Sequence, residues 1–273
     1  MQNGDGTIAH AIQRGIDLLS AAGCEKPRAD AEALIAEALG VDIAQLGDHA
    51  STTVAPPIAA KIARYVARRA AREPREYILN HGRFRGIDLY IDNRVIVPDP
   101  ASGILVDVAL RLGPGSRVHE VGTGCGAIAL ATAYERRDFR VTGSDISPDA
   151  IDVARANAER LNLDVTFSVE PWLPQGNYDL VVANLPYVDE DQRELQLPRE
   201  YDYQPRLAVY AGTDGLAIIR ELVAHLDELE PSTLVALQHA PSQTDAVRAY
   251  FADPETLGDG APFARVTVGR LMR

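Results

Sequence analysis

Three glycines alternate with small residues in segment 122–126, and this spacing could hold a nucleotide against the backbone. Gly122, Gly124 and Gly126 follow a short apolar run that is typical of a buried strand. Glycine permits a sharp turn, and its missing Cβ lets a ligand lie against the main chain. The Ala-, Leu- and Ile-rich segment 127–133 predicts that a helix follows. Because the free N–H groups at a helix N-terminus donate hydrogen bonds to polar or anionic groups, we predict a nucleotide-type pocket here.

The spacing of the glycines indicates which nucleotide the pocket takes. The loop has the form G-x-G-x-G, whereas dinucleotide sites have G-x-G-x-x-G, and it is similar to the first motif of Rossmann-like methyltransferases that bind S-adenosylmethionine. A predicted strand over 139–144 ends before Asp145, about 20 residues beyond the loop, where an acid can accept hydrogen bonds from both ribose hydroxyls. The alternative is a plain tight turn and a helix-capping aspartate. The predicted cofactor residues of the loop are Gly122, Thr123, Gly124, Cys125 and Gly126.

A second candidate site is the tetrapeptide Asn184-Leu185-Pro186-Tyr187, which follows a hydrophobic strand over 178–183. In an open α/β sheet, ligands lie outside the carboxyl ends of the strands, so the tetrapeptide and the glycine loop should converge. The Asn184 side-chain oxygen and the Leu185 carbonyl can each accept one N–H, while Pro186 fixes the backbone and Tyr187 offers a flat face. This arrangement predicts methyl transfer to nitrogen by positioning alone. An Asx-type turn is the alternative.

Trp172 and Cys125 each allow two interpretations. Trp172 could stack on adenine or fill the core, and we include it, with Asn184, among the predicted cofactor residues. Cys125 is interpreted as a small residue that fills space in the loop, since no histidine stands near it as a base.

Composition limits the remaining classes of protein. The 273 residues carry a net charge of −12, which repels a phosphate backbone at long range, so we do not expect direct nucleic-acid binding. The two cysteines make neither a disulfide framework nor a metal site. The sequence shows no apolar run of membrane-spanning length and no signal-peptide core, so we expect a cytoplasmic protein without membrane contact.

The chain order predicts three parts: a helical N-terminal domain for a substrate or partner over 1–75, a β-hairpin linker over 76–99 with its turn at Asp92-Asn93, and an α/β domain over 100–273. The expected fold of the last part is a doubly wound, seven-stranded, Rossmann-like sheet. The predicted helices are 102–112, 127–135, 148–161, 214–229 and 242–251, and the predicted strands are 117–121, 139–144, 164–169, 178–183, 233–238 and 263–271. The third N-terminal helix carries a basic stripe, formed by Lys61, Arg64, Arg68, Arg69 and Arg72. It is either a solvated face or a docking surface.

Nearly end to end, the chain resembles the HemK/PrmC family, whose members methylate the side-chain nitrogen of a glutamine in peptide-chain release factors. The resemblance includes the helical domain, segment 74–78, the glycine loop with Asp145, the tetrapeptide, and segment 266–270. It implies that the loop, Asp145 and Trp172 bind S-adenosylmethionine. It also implies that residues 184–187 hold the glutamine amide.

Three departures from the family concern the acceptor half. Leu185 replaces a proline of Asn-Pro-Pro-Tyr, the connector 98–103 lacks the arginine and both acids of Pro-Arg-Pro-Glu-Thr-Glu, and Gln238-His239-Ala240 replaces Glu-His-Gly. From the connector we predict a pocket of different charge and a changed acceptor, whereas the resemblance over both domains keeps the glutamine of a release factor as the first interpretation. The alternatives to a release factor are a small-molecule amide, amine or hydroxyl, an adenine in RNA or DNA, and a binding protein without turnover.

Overall fold

The computed structural model describes residues 6–173, 175–190, 197–226, 229–258 and 265–272. The chain divides into two compact units, Met1–Asn80 and His81–Arg273. Among the described residues, no helix is both long enough and apolar enough to cross a membrane. The helices of the first unit are α1 (Ile8–Ala21), α2 (Pro27–Leu39), α3 (Pro56–Ala70) and α4 (Arg75–Leu79).

Helix boundaries in the first unit follow the sequence signals. The Thr7 hydroxyl accepts a hydrogen bond from the His10 N–H and caps α1, prolines open α2 and α3, and Gly40 ends α2 in the left-handed conformation. The helices bury one apolar cluster, which includes Ile8, Leu19, Ile35, Ile62 and Val66.

The basic stripe on α3 is only partly a surface feature. Arg69 is buried and its Nε donates to Asp30 at 2.8 Å, so its predicted place on an exposed face is wrong. Arg68 forms a bidentate ion pair with Glu73, in which Nε and Nη2 each donate to one carboxylate oxygen. Arg72 donates to the Gly23 carbonyl at 2.9 Å. These cations therefore stabilise the first unit, and whether the rest of the stripe docks a partner stays a prediction.

The predicted hairpin forms, but with a different turn. Its strands are β1 (His81–Phe84) and β2 (Ile87–Tyr90), joined by Arg85 and Gly86, which both have positive φ. Two-residue hairpin turns of this kind suit the twist of the strands, which is why the turn forms here. The expected turn residue Asp92 instead accepts hydrogen bonds from Tyr90 Oη and Arg94 after the hairpin has ended. The hairpin lies in the second unit, and the predicted domain boundaries at 75/76 and 99/100 stay a prediction.

The second unit is built on a seven-stranded sheet within the described residues, with the order β5-β4-β3-β6-β7-β9-β8. The five strands from β5 to β7 in this order are parallel, and β9 pairs antiparallel with both β7 and β8. The predicted doubly wound, Rossmann-like α/β fold is confirmed. The strands are β3 (Arg117–Val121), β4 (Arg140–Asp145), β5 (Val165–Val169), β6 (Leu180–Ala183), β7 (Leu234–His239), β8 (Phe251–Leu257) and β9 (Arg265–Leu271). The helices are α5 (Gly103–Ala109), α6 (Ala127–Glu135), α7 (Pro148–Leu161), α8 (Ala217–His225) and α9 (Thr244–Arg248). Short 3₁₀ turns occur at Ile43–Gln45, Pro100–Ser102, Arg199–Tyr203, Arg206–Ala208 and Pro241–Gln243.

Strand β8 differs from the sequence-based expectation, which is a helix over 242–251 and then one strand from 263. Asp253-Pro254 is typical of a turn, and it lies inside β8. The sheet accommodates the pair because β8 is an edge strand, because its pairing with β9 is irregular between Ala252 and Glu255, and because Asp253 has positive φ. Proline is tolerated in edge strands and at bulges, where no ladder hydrogen bond is lost.

Candidate functional site

The strand order reverses between β3 and β6, and both predicted sites lie at that point. Val121, the last residue of β3, pairs with Ala183, the last of β6, so the glycine loop and the tetrapeptide leave neighbouring strands side by side. Val121 also pairs with Ser144 on its other side, which places Asp145 beside the loop. Ligands of open α/β sheets bind in the crevice at such a reversal.

The two segments are in direct contact through Gly122 and Leu185. Gly122 has a φ of +71°, and a Cβ built on it would lie 2.7 Å from Leu185 Cδ2. Leu185 is buried and belongs to the core cluster formed by β3, β6, β7 and α8. The leucine that departs from the family pattern thus packs on the first glycine of the loop, and within the described residues its backbone carbonyl accepts no backbone N–H.

Glu120 lies on β3 just before the glycine loop and holds the loop and the start of α6 by hydrogen bonds. The sequence analysis did not include it among the site residues. It is 2 % exposed, and its Oε2 accepts hydrogen bonds from Thr123 Oγ1 at 2.6 Å and from the Ala129 N–H at 2.8 Å. Burial raises the pKa of Glu120 to about 8, although both hydrogen bonds lower it. The Glu120 carboxyl group therefore already accepts one of the N–H groups in the first turn of α6. The signal that could have revealed it is an acid at the end of an otherwise buried strand.

Asp145 is held by the backbone on both oxygens. Its Oδ2 accepts the Gly124 N–H and its Oδ1 accepts the Ser147 N–H, each at 2.9 Å. Burial raises the pKa of the carboxyl group, and these backbone contacts lower it. Because a carboxylate has about four acceptor positions, these backbone contacts leave it capacity for hydrogen bonds from ribose.

The remaining loop residues are fixed from outside the loop. Cys125 is buried, and burial raises the pKa of its thiol to about 12, as expected for a residue that fills space. Its carbonyl accepts Asn157 Nδ2 at 3.0 Å. Asn157 also hydrogen-bonds both backbone groups of Tyr90, so one buried amide on α7 joins the loop to the hairpin. The sequence of α7 has the pattern of an ordinary surface helix and does not indicate that Asn157 has this role.

Trp172 packs against the core cluster, and its ring lies 6.1 Å from that of His225 on α8. This contact favours the core-filling interpretation over adenine stacking. Two other apolar side chains are exposed beside Asp145: Ile146 at 55 % and Val169 at 46 %, with Val169 paired to Asp145 across β4 and β5. Sequence reasoning missed both, since single apolar residues after a strand resemble ordinary strand ends.

The tetrapeptide is anchored at both ends. Asn184 Nδ2 donates to the buried Ser102 Oγ at 2.9 Å, which leaves Oδ1 as the acceptor atom of the same amide. The Tyr187 carbonyl accepts Gln243 Nε2 at 3.0 Å, and Val188 pairs with the segment around Tyr210. Asn184 therefore presents an acceptor from a fixed backbone, as the predicted grip on an N–H requires.

The acceptor side also contains two phenols, a carboxylate and a poorly satisfied amide. Burial raises the pKa of Tyr187, and it raises that of Tyr201 to about 12. Asp99 adds to both shifts through its charge. Gln238 is 1 % exposed and its proximity lowers the Tyr187 pKa, but the contact falls short of a hydrogen bond, and both amide atoms lack a partner among the described residues.

The residues at the loop fit an adenosine-type cofactor. Asp145 has acceptor positions for ribose, and Ile146 and Val169 give the adjacent edge exposed apolar surface suited to a base. At Gly124, with a φ of +55°, a Cβ would meet Ile96 at 4.0 Å and no other described residue within that distance, so the backbone is approachable there. The assignment of individual residues to the cofactor stays a proposal.

Known families match both parts of the chain. Residues 10–79 match the PrmC N-terminal domain, and residues 96–201 match the methyltransferase small domain. A release factor glutamine methyltransferase of Koribacter versatilis is 32 % identical over 97 % of this chain and 98 % of its own length. Another, from Geobacter sulfurreducens, is 34 % identical over 97 % of each chain.

The chain belongs to the release factor glutamine methyltransferase family. The predicted family, the enzyme class and S-adenosylmethionine as methyl donor are thereby confirmed. Among solved structures, the hMettl16 catalytic domain in complex with a MAT2A 3′UTR hairpin aligns with a TM-score of 0.55 at 12 % identity, covering 80 % of this chain and 83 % of that one. At this identity the likeness shows the shared fold alone.

Proposed function

We propose that this methyltransferase transfers a methyl group to the side-chain amide nitrogen of a glutamine in a peptide-chain release factor. The observation that carries the proposal is the position of Asn184: its amide is fixed beside the glycine loop, with Oδ1 left to accept an N–H. Relatives named for this activity match the chain along nearly its whole length, which includes the acceptor half. We expect the release factor as the protein partner and the cytoplasm as the location.

The residues of the tetrapeptide act on the amide by positioning it. An amide nitrogen is a poor nucleophile while its lone pair is delocalised. Asn184 Oδ1 and the Leu185 carbonyl would each accept one N–H, which holds the NH₂ group so that its lone pair can point at the methyl donor. Pro186 restricts the backbone, so that the Leu185 carbonyl keeps its direction, and the ring of Tyr187 would pack against the planar amide. S-adenosylmethionine, when bound, supplies an activated methyl group, and the glycine loop, Asp145, Ile146 and Val169 are the residues that would hold it.

A small-molecule acceptor is the second candidate, because Asp99 stands where the family pattern has arginine. Its negative charge acts on Tyr187 and Tyr201, so the acceptor side has two phenol rings and a carboxylate. Such a combination would attract an amine that arrives as a cation better than a neutral amide, and the amine would have to lose one proton before its nitrogen could take the methyl group. The acidic balance of the chain gives no support to a nucleic-acid acceptor.

The test offers the purified protein a bacterial release factor together with methyl-labelled S-adenosylmethionine. We expect label on the release factor, at a glutamine located by peptide mass spectrometry, at a rate of about 1 per second or faster. The matched controls are the same release factor with that glutamine replaced by alanine, and the enzyme variant Asn184→Ala. A release factor that stays unlabelled refutes the proposal, and a second reaction with a cell extract in its place then identifies the other acceptor class by whether small molecules or RNA take up the label.

A further inference from the structure

The connector before α5 reaches the acceptor site through one side chain, Ser102. Its hydroxyl oxygen accepts Asn184 Nδ2 at 2.9 Å, and the residue is only 3 % exposed. The two residues are far apart in sequence, and the contact joins the connector to the end of β6. In a buried setting, a bond of this kind restricts the rotation of the amide, since breaking it leaves a polar atom without a partner.

Ser102 is itself held in place by the rest of the connector. The Val97 N–H donates to Oε1 of the buried Gln204 at 2.9 Å, which fixes the start of the segment. Asp99 accepts the Ala101 N–H on its side chain and the Ser102 N–H on its carbonyl, each at 2.9 Å, and so shapes the 3₁₀ turn. The connector that lacks the charges of the family pattern is thus a well-ordered support.

We propose that Ser102 is a positioning residue for methyl transfer, which holds the Asn184 amide with its nitrogen toward the connector and its oxygen toward the acceptor. The inference rests on the proposed role of Asn184 as the group that grips the acceptor N–H. A side-chain amide can flip, and a flipped Asn184 would present N–H donors to a substrate nitrogen that also carries N–H donors. With its hydroxyl oxygen accepting from Nδ2, Ser102 restrains the amide in the observed orientation, which leaves Oδ1 for the acceptor. It acts through Asn184, without contact to the reacting atoms.

The kinetic test compares Ser102→Ala with Ser102→Thr. We expect Ser102→Ala to lower kcat about tenfold or more with little change in the affinity for S-adenosylmethionine, because only the aim of the amide is lost. Ser102→Thr keeps the hydroxyl and should retain most of the activity. The exposed serine of the Pro241–Gln243 turn offers a matched control, Ser242→Ala, which should behave as wild type. A Ser102→Ala enzyme with wild-type kcat overturns the proposal.

The double variant Ser102→Ala/Asn184→Ala separates positioning from general stability. If Ser102 acts through Asn184, the double variant should be no slower than Asn184→Ala alone. A further loss that multiplies the two single effects means that Ser102 acts by another route, and the inference is wrong.

A readout without turnover makes failure of this inference distinguishable from failure of the proposed function. The side-chain amide resonances of Asn184, assigned from their disappearance in Asn184→Asp, should shift in Ser102→Ala and stay near their wild-type position in Ser102→Thr. If the wild-type enzyme does not methylate a release factor, the proposed function fails, and these resonances alone decide the orienting role of Ser102. Resonances unaffected by Ser102→Ala would show that the hydroxyl does not hold the amide.

Discussion

The region at the ends of β3 and β4 differs from the region at the ends of β6 and β7 in how many hydrogen-bond partners its buried polar side chains have. On the first side, Glu120, Asp145 and Asn157 all have short hydrogen bonds to the loop or its surroundings. On the second side, His239 has a partner for each ring nitrogen, but within the described residues Asn184 has one partner and the buried Gln238 amide has none. The cofactor side is therefore organised by the protein itself, whereas the acceptor side keeps polar capacity that a substrate can use. Family departures fall on this second side.

The largest effect on the cofactor side should come from Asp145→Ala. Removing the carboxylate leaves the Gly124 and Ser147 N–H groups without their acceptor and removes the predicted ribose contacts. We expect the affinity for S-adenosylmethionine to fall by about 10- to 100-fold, the effect of leaving charged hydrogen bonds unmade. Calorimetric titration measures it. The exposed α7 variant Asp152→Ala is the control, and unchanged affinity in Asp145→Ala would remove this residue from the site.

On the cofactor side, His119 on β3 should contribute its own pH-dependent part of the stability. Its ring nitrogens lie 2.7 Å from Thr142 Oγ1 and 2.9 Å from Ser144 Oγ, and burial lowers its pKa to about 4. Because the folded pKa lies below the unfolded value of about 6.5, the unfolded state binds the proton first. The stabilisation is complete above pH 6.5 and is lost as the pH falls toward 4.

Denaturant titrations of wild type and His119→Asn should reveal this dependence as a difference between the two proteins. We expect the free energy of unfolding of wild type, relative to that of the variant, to fall by on the order of 1 kcal/mol between pH 7 and 5.5, since a tenfold difference in proton affinity between the folded and unfolded states corresponds to about 1.4 kcal/mol. Equal losses would mean that His119 accepts a proton in the folded state as readily as in the unfolded state.

A smaller effect, of opposite sign, is expected on the acceptor side from Gln238→Met. Methionine has a similar volume and removes two buried polar atoms that have no hydrogen-bond partner among the described residues. The free energy of unfolding should rise by some tenths to about 1 kcal/mol, because the desolvation penalty disappears. Gln243→Met provides the contrast: Gln243 donates to the Tyr187 carbonyl, so the same change should destabilise. If Gln238→Met destabilises instead, Gln238 has partners that the present geometry lacks.

Local sequence signals were enough to predict six of the seven described strands of the sheet, and the two segments that meet at their carboxyl ends. The glycine loop, Asp145 and the tetrapeptide each follow an apolar strand, and parallel strands bring their carboxyl ends together. The breaker pair Asp253-Pro254 hid β8, because only its place at the sheet edge makes a proline acceptable there. Hydrophobic periodicity and residue propensities alone do not tell which strand lies at the edge of the sheet.

The contacts that tune the site could not be predicted, since they depend on distant partners. Ser102 and Asn184 meet only once the connector and β6 have folded. Asn157 reads as a polar position on α7, yet it is fully buried and ties the loop to the hairpin. Glu120 was absent from the predicted site because a buried acid is rare, and its role appears only with Thr123 and Ala129 around it.

The division between a cofactor side and an acceptor side is tested most directly by Asn184→Ala, with the two steps measured separately. Single-turnover methyl transfer at saturating S-adenosylmethionine should slow by about a hundredfold, because the acceptor amide loses its aim. Cofactor affinity, measured by titration of the same protein, should stay close to that of wild type. The exposed Asn177→Ala is the matched control. A wild-type transfer rate in Asn184→Ala, or a loss confined to cofactor binding, would contradict the division.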